Sequence, residues 1–262
     1  MFSNENRCLY RKNQLADVIC QLRFPDILTI NATPPAVFQD SIRDKFPQYA
    51  ANLEASAPRI TGTPGNFHLN NQQPTVNYQF TSADGIWRVN LTSRFISLAC
   101  NQYTGWESFA QMLDAPLSEF IKIYKPAYFQ RIGLRYINFI SRNSLGLSGT
   151  HFRELFQSPY LGILCDETVD ETCANSSCVD AQISIAGGCK AKIHAGPGIV
   201  KRKGQSDDEI KFIFDQDLFM AGNIPVNYSA GALETLHSQA YPIFRDAITE
   251  MLHEALEPIS IK

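Results

Sequence analysis

The sequence predicts an α+β fold: two tandem β-α-β(3-4)-α units whose strands join into one curved antiparallel sheet with helices on one face. Three observations predict it. Segments of strand character come in closely spaced groups separated by turn residues, which suits antiparallel meanders. Each group is followed by a long amphipathic helix, with apolar residues at steps of three and four. The order of elements then starts again near residue 127. This gives units 1–126 and 127–262, which are expected to form one continuous structural domain.

The first element is Ala16–Phe24, ADVICQLRF. It is rich in branched and apolar residues and stops at Pro25, so it reads as a buried strand. Thr33-Pro34-Pro35 is a helix-start signal, with Thr33 as N-cap and proline in the first turn. Val37, Phe38, Ile42 and Phe46 then carry the apolar face of a helix over about Pro35–Phe46. Strands are expected at Arg59–Leu69 (with a glycine-rich kink), Thr75–Thr81, Gly85–Thr92 and Arg94–Gln102. Asp84-Gly85 marks a hairpin between the second and third of these, and Thr92-Ser93 is a tight connection of the same kind. A helix follows over Trp106–Tyr124.

In the second unit, Tyr128–Ile140 is a strand and His151–Gln157 a short helix. Strands at Val179–Ala186, Gly188–Ala195 and Glu209–Leu218 come next, then a long helix over Ala232–Leu256. Two local matches support a duplication. Leu22-Arg23-Phe24 resembles Leu134-Arg135-Tyr136. Gly105 precedes Pro116 by eleven positions, and Gly231 precedes Pro242 by the same eleven. A proline inside a helix removes a hydrogen bond, so its placement at one distance in both long helices points to a shared origin. The order of elements resembles the TATA-binding-protein-like and helix-grip folds, a likeness that carries no function by itself.

The opening Tyr10-x-x-Asn13-x-Leu15-x-Asp17-Val18-Ile19-Cys20-Gln21-Leu22-Arg23-Phe24-Pro25 resembles the start of a sporadically distributed, uncharacterised bacterial family of about this length. Ile243–Leu252 resembles that family's ending. The resemblance implies a bacterial multi-component system, defence among the contexts, because patchy distribution goes with horizontal transfer. It supplies no catalytic residues, and Cys165–Cys189 lies outside the shared pattern.

Composition narrows the function classes. The chain carries 23 basic and 26 acidic residues, a net charge of −3, so no global field draws it to nucleic acid or anionic lipid. No apolar run approaches the roughly 20 residues needed to span a bilayer. The opening residues show no signal-peptide core, so a cytoplasmic protein with no membrane partner is expected. Its seven cysteines are then expected as reduced thiols.

No phosphate-binding glycine loop, nucleophile elbow or H-E-x-x-H is present, so the sequence calls for no catalytic residue, cofactor or metal. Cys165, Cys173, Cys178 and Cys189 have seven, four and ten residues between them, unlike the close pairs of zinc sites, and read as thiols of a solvated loop. Lys190, Lys192 and His194 alternate along one strand and share a face, and Lys201-Arg202-Lys203 follows past a turn. This basic hairpin, 190–203, is the concentrated positive feature. Arg88, Asn90, Thr92 and Arg94 fall on one strand face, with Arg23 and Arg135 as counterparts if the sheet is continuous.

Three readings follow. The leading one is a non-enzymatic binding or scaffolding protein that offers its open sheet, through Arg23, Arg88, Asn90, Arg94 and Arg135, to a protein partner or to a second copy. The second is a nucleic-acid-binding subunit using Lys190, Lys192, Lys201, Arg202 and Lys203. The third is an enzyme or small-ligand binder with a cavity between sheet and helices, which requires a space of a few hundred Å³ with converging polar groups.

Overall fold

A computed structural model describes residues 7–54, 59–63, 66–70, 75–174, 176–200 and 208–260. The first part of the chain forms β1 (Cys8–Tyr10), β2 (Leu15–Arg23), α1 (Leu28–Ala32), α2 (Ala36–Ile42), β3 (Gln48–Glu54), β4 (Arg59–Thr63), β5 (Asn66–Asn70), β6 (Thr75–Thr81), β7 (Trp87–Leu91), β8 (Phe95–Cys100) and α3 (Trp106–Tyr124). Then come β9 (Phe129–Ile140), α4 (Arg142–Leu145), α5 (Phe152–Leu155), β10 (Val179–Ser184), β11 (Lys190–Ile199), β12 (Ile210–Ile224), α6 (Ser229–Ala247), α7 (Glu250–Ala255) and β13 (Pro258–Ser260). Among the described residues no helix is long and apolar enough to cross a membrane.

One antiparallel sheet of nine strands organises the molecule, in the order β10-β11-β12-β9-β2-β8-β7-β6-β3. The strands that open the two expected units, β2 and β9, lie side by side at its middle, with Val18 opposite Tyr136. From there β8, β7, β6 and β3 follow on one side and β12, β11 and β10 on the other. Two-stranded ribbons, β1–β13 and β4–β5, complete the pairing.

Period-two alternation sends Val18, Cys20 and Leu22 of β2, Ile132 and Leu134 of β9, and Phe212, Phe214 and Leu218 of β12 to one face, where all are buried. Helices cover that face. α6 packs on β9 and β12, while α3 packs on β8 and against α2. Phe109, Leu113 and Phe120 of α3 and Leu233, Leu236 and Ile243 of α6 supply the buried stripes. Each such side chain taken fully out of water contributes about 1.5–3 kcal/mol.

Several boundaries differ from expectation. The helix expected over Pro35–Phe46 spans only Ala36–Ile42, and Thr33 ends α1 rather than capping α2. Phe46 is nonetheless fully buried, held by a turn in which its N–H donates to the Ile42 carbonyl at 3.0 Å. Arg59–Leu69 is not one kinked strand but the hairpin β4–β5, with Arg59 opposite Asn70. The single helix expected over Ala232–Leu256 is two. Ile248 leaves the helix to bridge Phe156, and Thr249 caps α7 by accepting from the Leu252 N–H.

β3 had no sequence signal. Its described side chains are exposed on both faces, so no apolar alternation announces it, and it exists through its pairing with β6. The Asp84-Gly85 hairpin forms as expected: Gly85 takes φ +74°, and the Asp84 carboxylate accepts from the Ile86 N–H at 3.0 Å. Both long helices run through their prolines, Pro116 and Pro242.

Candidate functional site

The uncovered face of the sheet gathers most of the residues singled out from sequence. Cross-strand pairing places Thr81, Arg88, Ala99, Ile19, Arg135, Asp217, Lys192 and Gln182 in one transverse row over eight strands. The neighbouring row holds Asn90, Ser97, Gln21, Gly133, Phe219 and Lys190. Arg88, Asn90, Arg135, Lys190 and Lys192 therefore share a surface.

One described residue falls elsewhere. Arg94 is not on the strand face with Arg88. It sits in the β7–β8 turn, closed by the Thr92 hydroxyl accepting from the N–H groups of Arg94 and Phe95 at 3.1 Å, and it pairs with Asp26 at 3.4 Å. Arg23 lies on the uncovered face with Ile19 and Gln21, exposed and opposite Arg131. Lys201, Arg202 and Lys203 lie outside the described residues.

Two arginines of this face, both on β9, are compensated by carboxylates of β12. Arg135 grips Asp215 with both arms of its guanidinium, Nε donating to Oδ1 at 2.7 Å. Arg131 donates to both oxygens of Asp217 at 2.7 Å and lies 4.4 Å over the Phe219 ring. Gly133 makes that crossing possible, because a Cβ there would stand 2.2 Å from the Arg131 Nη1. Next to these pairs is a hollow of about 410 Å³, with Arg88, Asp17, Asn101 and Phe139 in its wall.

A second concavity lies on the covered side. This cavity of about 340 Å³ is bounded by β9 and β12 through Tyr136, Asn138 and Gln216, and by α6 through His237, Ala240, Tyr241 and Phe244. The β1–β13 ribbon closes it with Leu9, Tyr10 and Ile259, while Asn13, Gln14 and Leu15 approach from the start of β2. A bulge fits β2 to this place. The register with β9 slips between Leu15 and Asp17, so that Leu15 lines the cavity while Ala16 and Asp17 line the hollow on the other face.

Tyr103, Tyr136, Asn138, Gln216 and His237 of the cavity wall are buried. Tyr136 meets His237 Nδ1 at 2.8 Å, and the imidazole lies flat on Trp106, with ring centres 4.4 Å apart. The Trp106 indole N–H is in turn fixed by Glu234 at 2.7 Å. Burial holds His237 neutral, its pKa pushed down to about 3, with Arg7 acting in the same direction. Burial also raises the Tyr136 hydroxyl far above its ordinary value and that of Tyr103 to about 12, so both stay protonated. Two atoms in this wall, His237 Nε2 and Gln216 Oε1, are fully buried with no hydrogen-bond partner. Such atoms are rare in folded proteins, since leaving one unpaired costs about 1–3 kcal/mol.

Sequence reasoning asked for this kind of cavity but named none of its residues. Ala240 and Phe244 read as part of a helix stripe that passed over His237, and Tyr136, Asn138 and Gln216 read as ordinary strand positions. The one signal was a polar residue at an inward-facing position: Asn138 and Gln216 interrupt otherwise apolar alternation.

Of the four cysteines of the second unit, Cys189 is buried and Cys165, Cys173 and Cys178 are exposed. Among the described residues only Cys178 stands with other metal-ligating groups, Asp180 and His194. No protein-family model, no curated protein and no solved structure matches this chain.

Proposed function

We propose that this chain is a binding protein for a small amphipathic molecule held in the cavity between the sheet and α6. The observation that carries this reading is the cavity itself, about 340 Å³ with Tyr136, Asn138, Gln216 and His237 converging in its wall. Its polar wall offers a ligand hydrogen-bonding groups, and Leu15, Phe244, Leu256 and Ile259 offer it apolar contact. The volume suits a compound at the small end of the drug-sized range. A neutral imidazole and two protonated phenols offer hydrogen bonding, and Arg7 adds a positive charge to the wall.

The test is a thermal-shift screen of a metabolite panel, together with native mass spectrometry of the purified protein. A true ligand at a hundred times its Kd stabilises the fold by about 2.7 kcal/mol. Ala240→Trp, which places an indole in the cavity, is expected to remove the shift while the protein stays folded. If every compound that shifts the wild type shifts Ala240→Trp equally, the cavity is not the site.

The open face supports a second reading, docking of a protein partner or of a second copy, because Arg88 borders a hollow there. In this reading Arg88→Glu changes the oligomeric state or partner capture and leaves ligand shifts intact. A cytoplasmic bacterial setting and an origin by duplication belong to the same proposal. The duplication finds support in the mirrored strand order about β2 and β9.

A further inference from the structure

We infer that Cys178, Asp180 and His194 form a zinc site on the solvent side of the sheet's outer edge, independent of the cavity. β10 is the last strand on that edge, and its register sets Asp180 directly opposite His194 on β11. His194 Nδ1 lies 3.0 Å from one Asp180 oxygen. Cys178 precedes Asp180 by two residues, so the strand period returns it to the same face, and its Sγ lies 3.8 Å from the other Asp180 oxygen. All three donor atoms lie within 4.8 Å of one another. A tetrahedral ion with bonds of roughly 2.0–2.3 Å to oxygen, nitrogen and sulfur draws its donors to roughly 3.3–3.7 Å apart. The side chains thus need move only slightly to close on it.

The backbone is shaped to hold this arrangement. A Cβ at Gly196 would stand 2.4 Å from the Ser177 carbonyl oxygen and 3.0 Å from the Cys178 Cα. Glycine at 196 therefore lets the segment before β10 lie flat on β11, which brings the thiol level with His194. The donor set selects the metal class. Thiolate and imidazole are too soft for calcium or magnesium, whereas zinc accepts sulfur, nitrogen and oxygen together. Three protein ligands leave a fourth position for water, the pattern of an open rather than a closed zinc site. Binding then releases the thiol proton of Cys178 and leaves His194 neutral with Nδ1 on the metal.

The test is titration of cobalt(II) into the full chain carrying Cys165→Ser and Cys173→Ser, which removes the other two exposed thiols. One equivalent is expected to give a thiolate-to-cobalt charge-transfer band that zinc(II) then abolishes. In the same background Cys178→Ser is expected to lose the band, and His194→Ala to weaken binding by about tenfold or more. All three residues are at the surface, so circular dichroism should show these variants folded. Absence of a stoichiometric thiolate band, or a band that survives Cys178→Ser, overturns the assignment. Because the readout does not involve the cavity, failure here leaves the ligand-binding proposal standing, and the reverse holds equally.

Discussion

Replacing Phe212 with alanine is expected to cost about 3–5 kcal/mol. Phe212 is fully buried, with Phe156 against it at a ring separation of 3.8 Å and Phe152 at 5.3 Å. This aromatic cluster is the main attachment of α5 to the sheet. The adjoining chain follows the same anchor: Phe156 bridges Ile248, and the Gln157 N–H donates to the Ala247 carbonyl at 2.9 Å. Truncation opens a cavity that its neighbours fill only by moving the α6–α7 break. With domain stabilities of about 5–15 kcal/mol, the variant approaches the unfolding threshold. At this chain length the loss corresponds to roughly 6–20 °C in Tm. Urea denaturation of wild type, Phe212→Ala and Phe212→Leu measures it, and leucine should recover more than half of the loss. A loss under about 1 kcal/mol for alanine contradicts the packing described.

The second large effect is acid destabilisation through His237. Folded, this imidazole is neutral down to about pH 3, because burial and Arg7 oppose its protonation. In the unfolded chain it protonates near its ordinary value of 6.5. Between these limits the unfolded state binds a proton that the folded state does not, so stability falls as pH drops from about 6.5 toward 3. The full loss is on the order of 3–5 kcal/mol. Above pH 7 the group contributes no slope. His237→Gln removes the titration while keeping an acceptor for the Tyr136 hydroxyl. Unfolding free energies measured from pH 7.5 to 4 should converge, the wild type losing its advantage as the solution is acidified. Parallel curves for the two proteins across that window would place the imidazole in contact with water.

The elements that were legible from sequence are those whose pattern reports burial. β2, β9 and α3 show apolar residues at the period of their own structure, and each lies where that pattern puts it. Thr249 shows the limit of the method. The apolar stripe of α6 continues through Ile248 into α7, so periodicity alone joins two helices that a cross-chain bridge separates. The open face was legible as a face, since alternation fixes which side chains point away from the helices. Its charge was not. Arg135 is neutralised by Asp215, eighty positions later in the chain, and only the β9–β12 register reveals it. The cavity was harder still, because its wall draws residues from β1, β2, β9, β12 and α6, far apart in the chain, and no local spacing links Tyr136 to His237.

The central position of β2 and β9 has a consequence during synthesis. As the first half of the chain leaves the ribosome, β2 can pair with β8 on one side only. Its other flank stays open, a row of bare amides and carbonyls, until β9 has been made. The seam at the middle of the sheet therefore cannot form until the whole first half of the chain and β9 have been made. Pairings of such long sequence separation fold slowly and leave the nascent chain open to self-association meanwhile. Production in soluble form is accordingly expected to improve with slower translation or with chaperones that shield an unfinished strand.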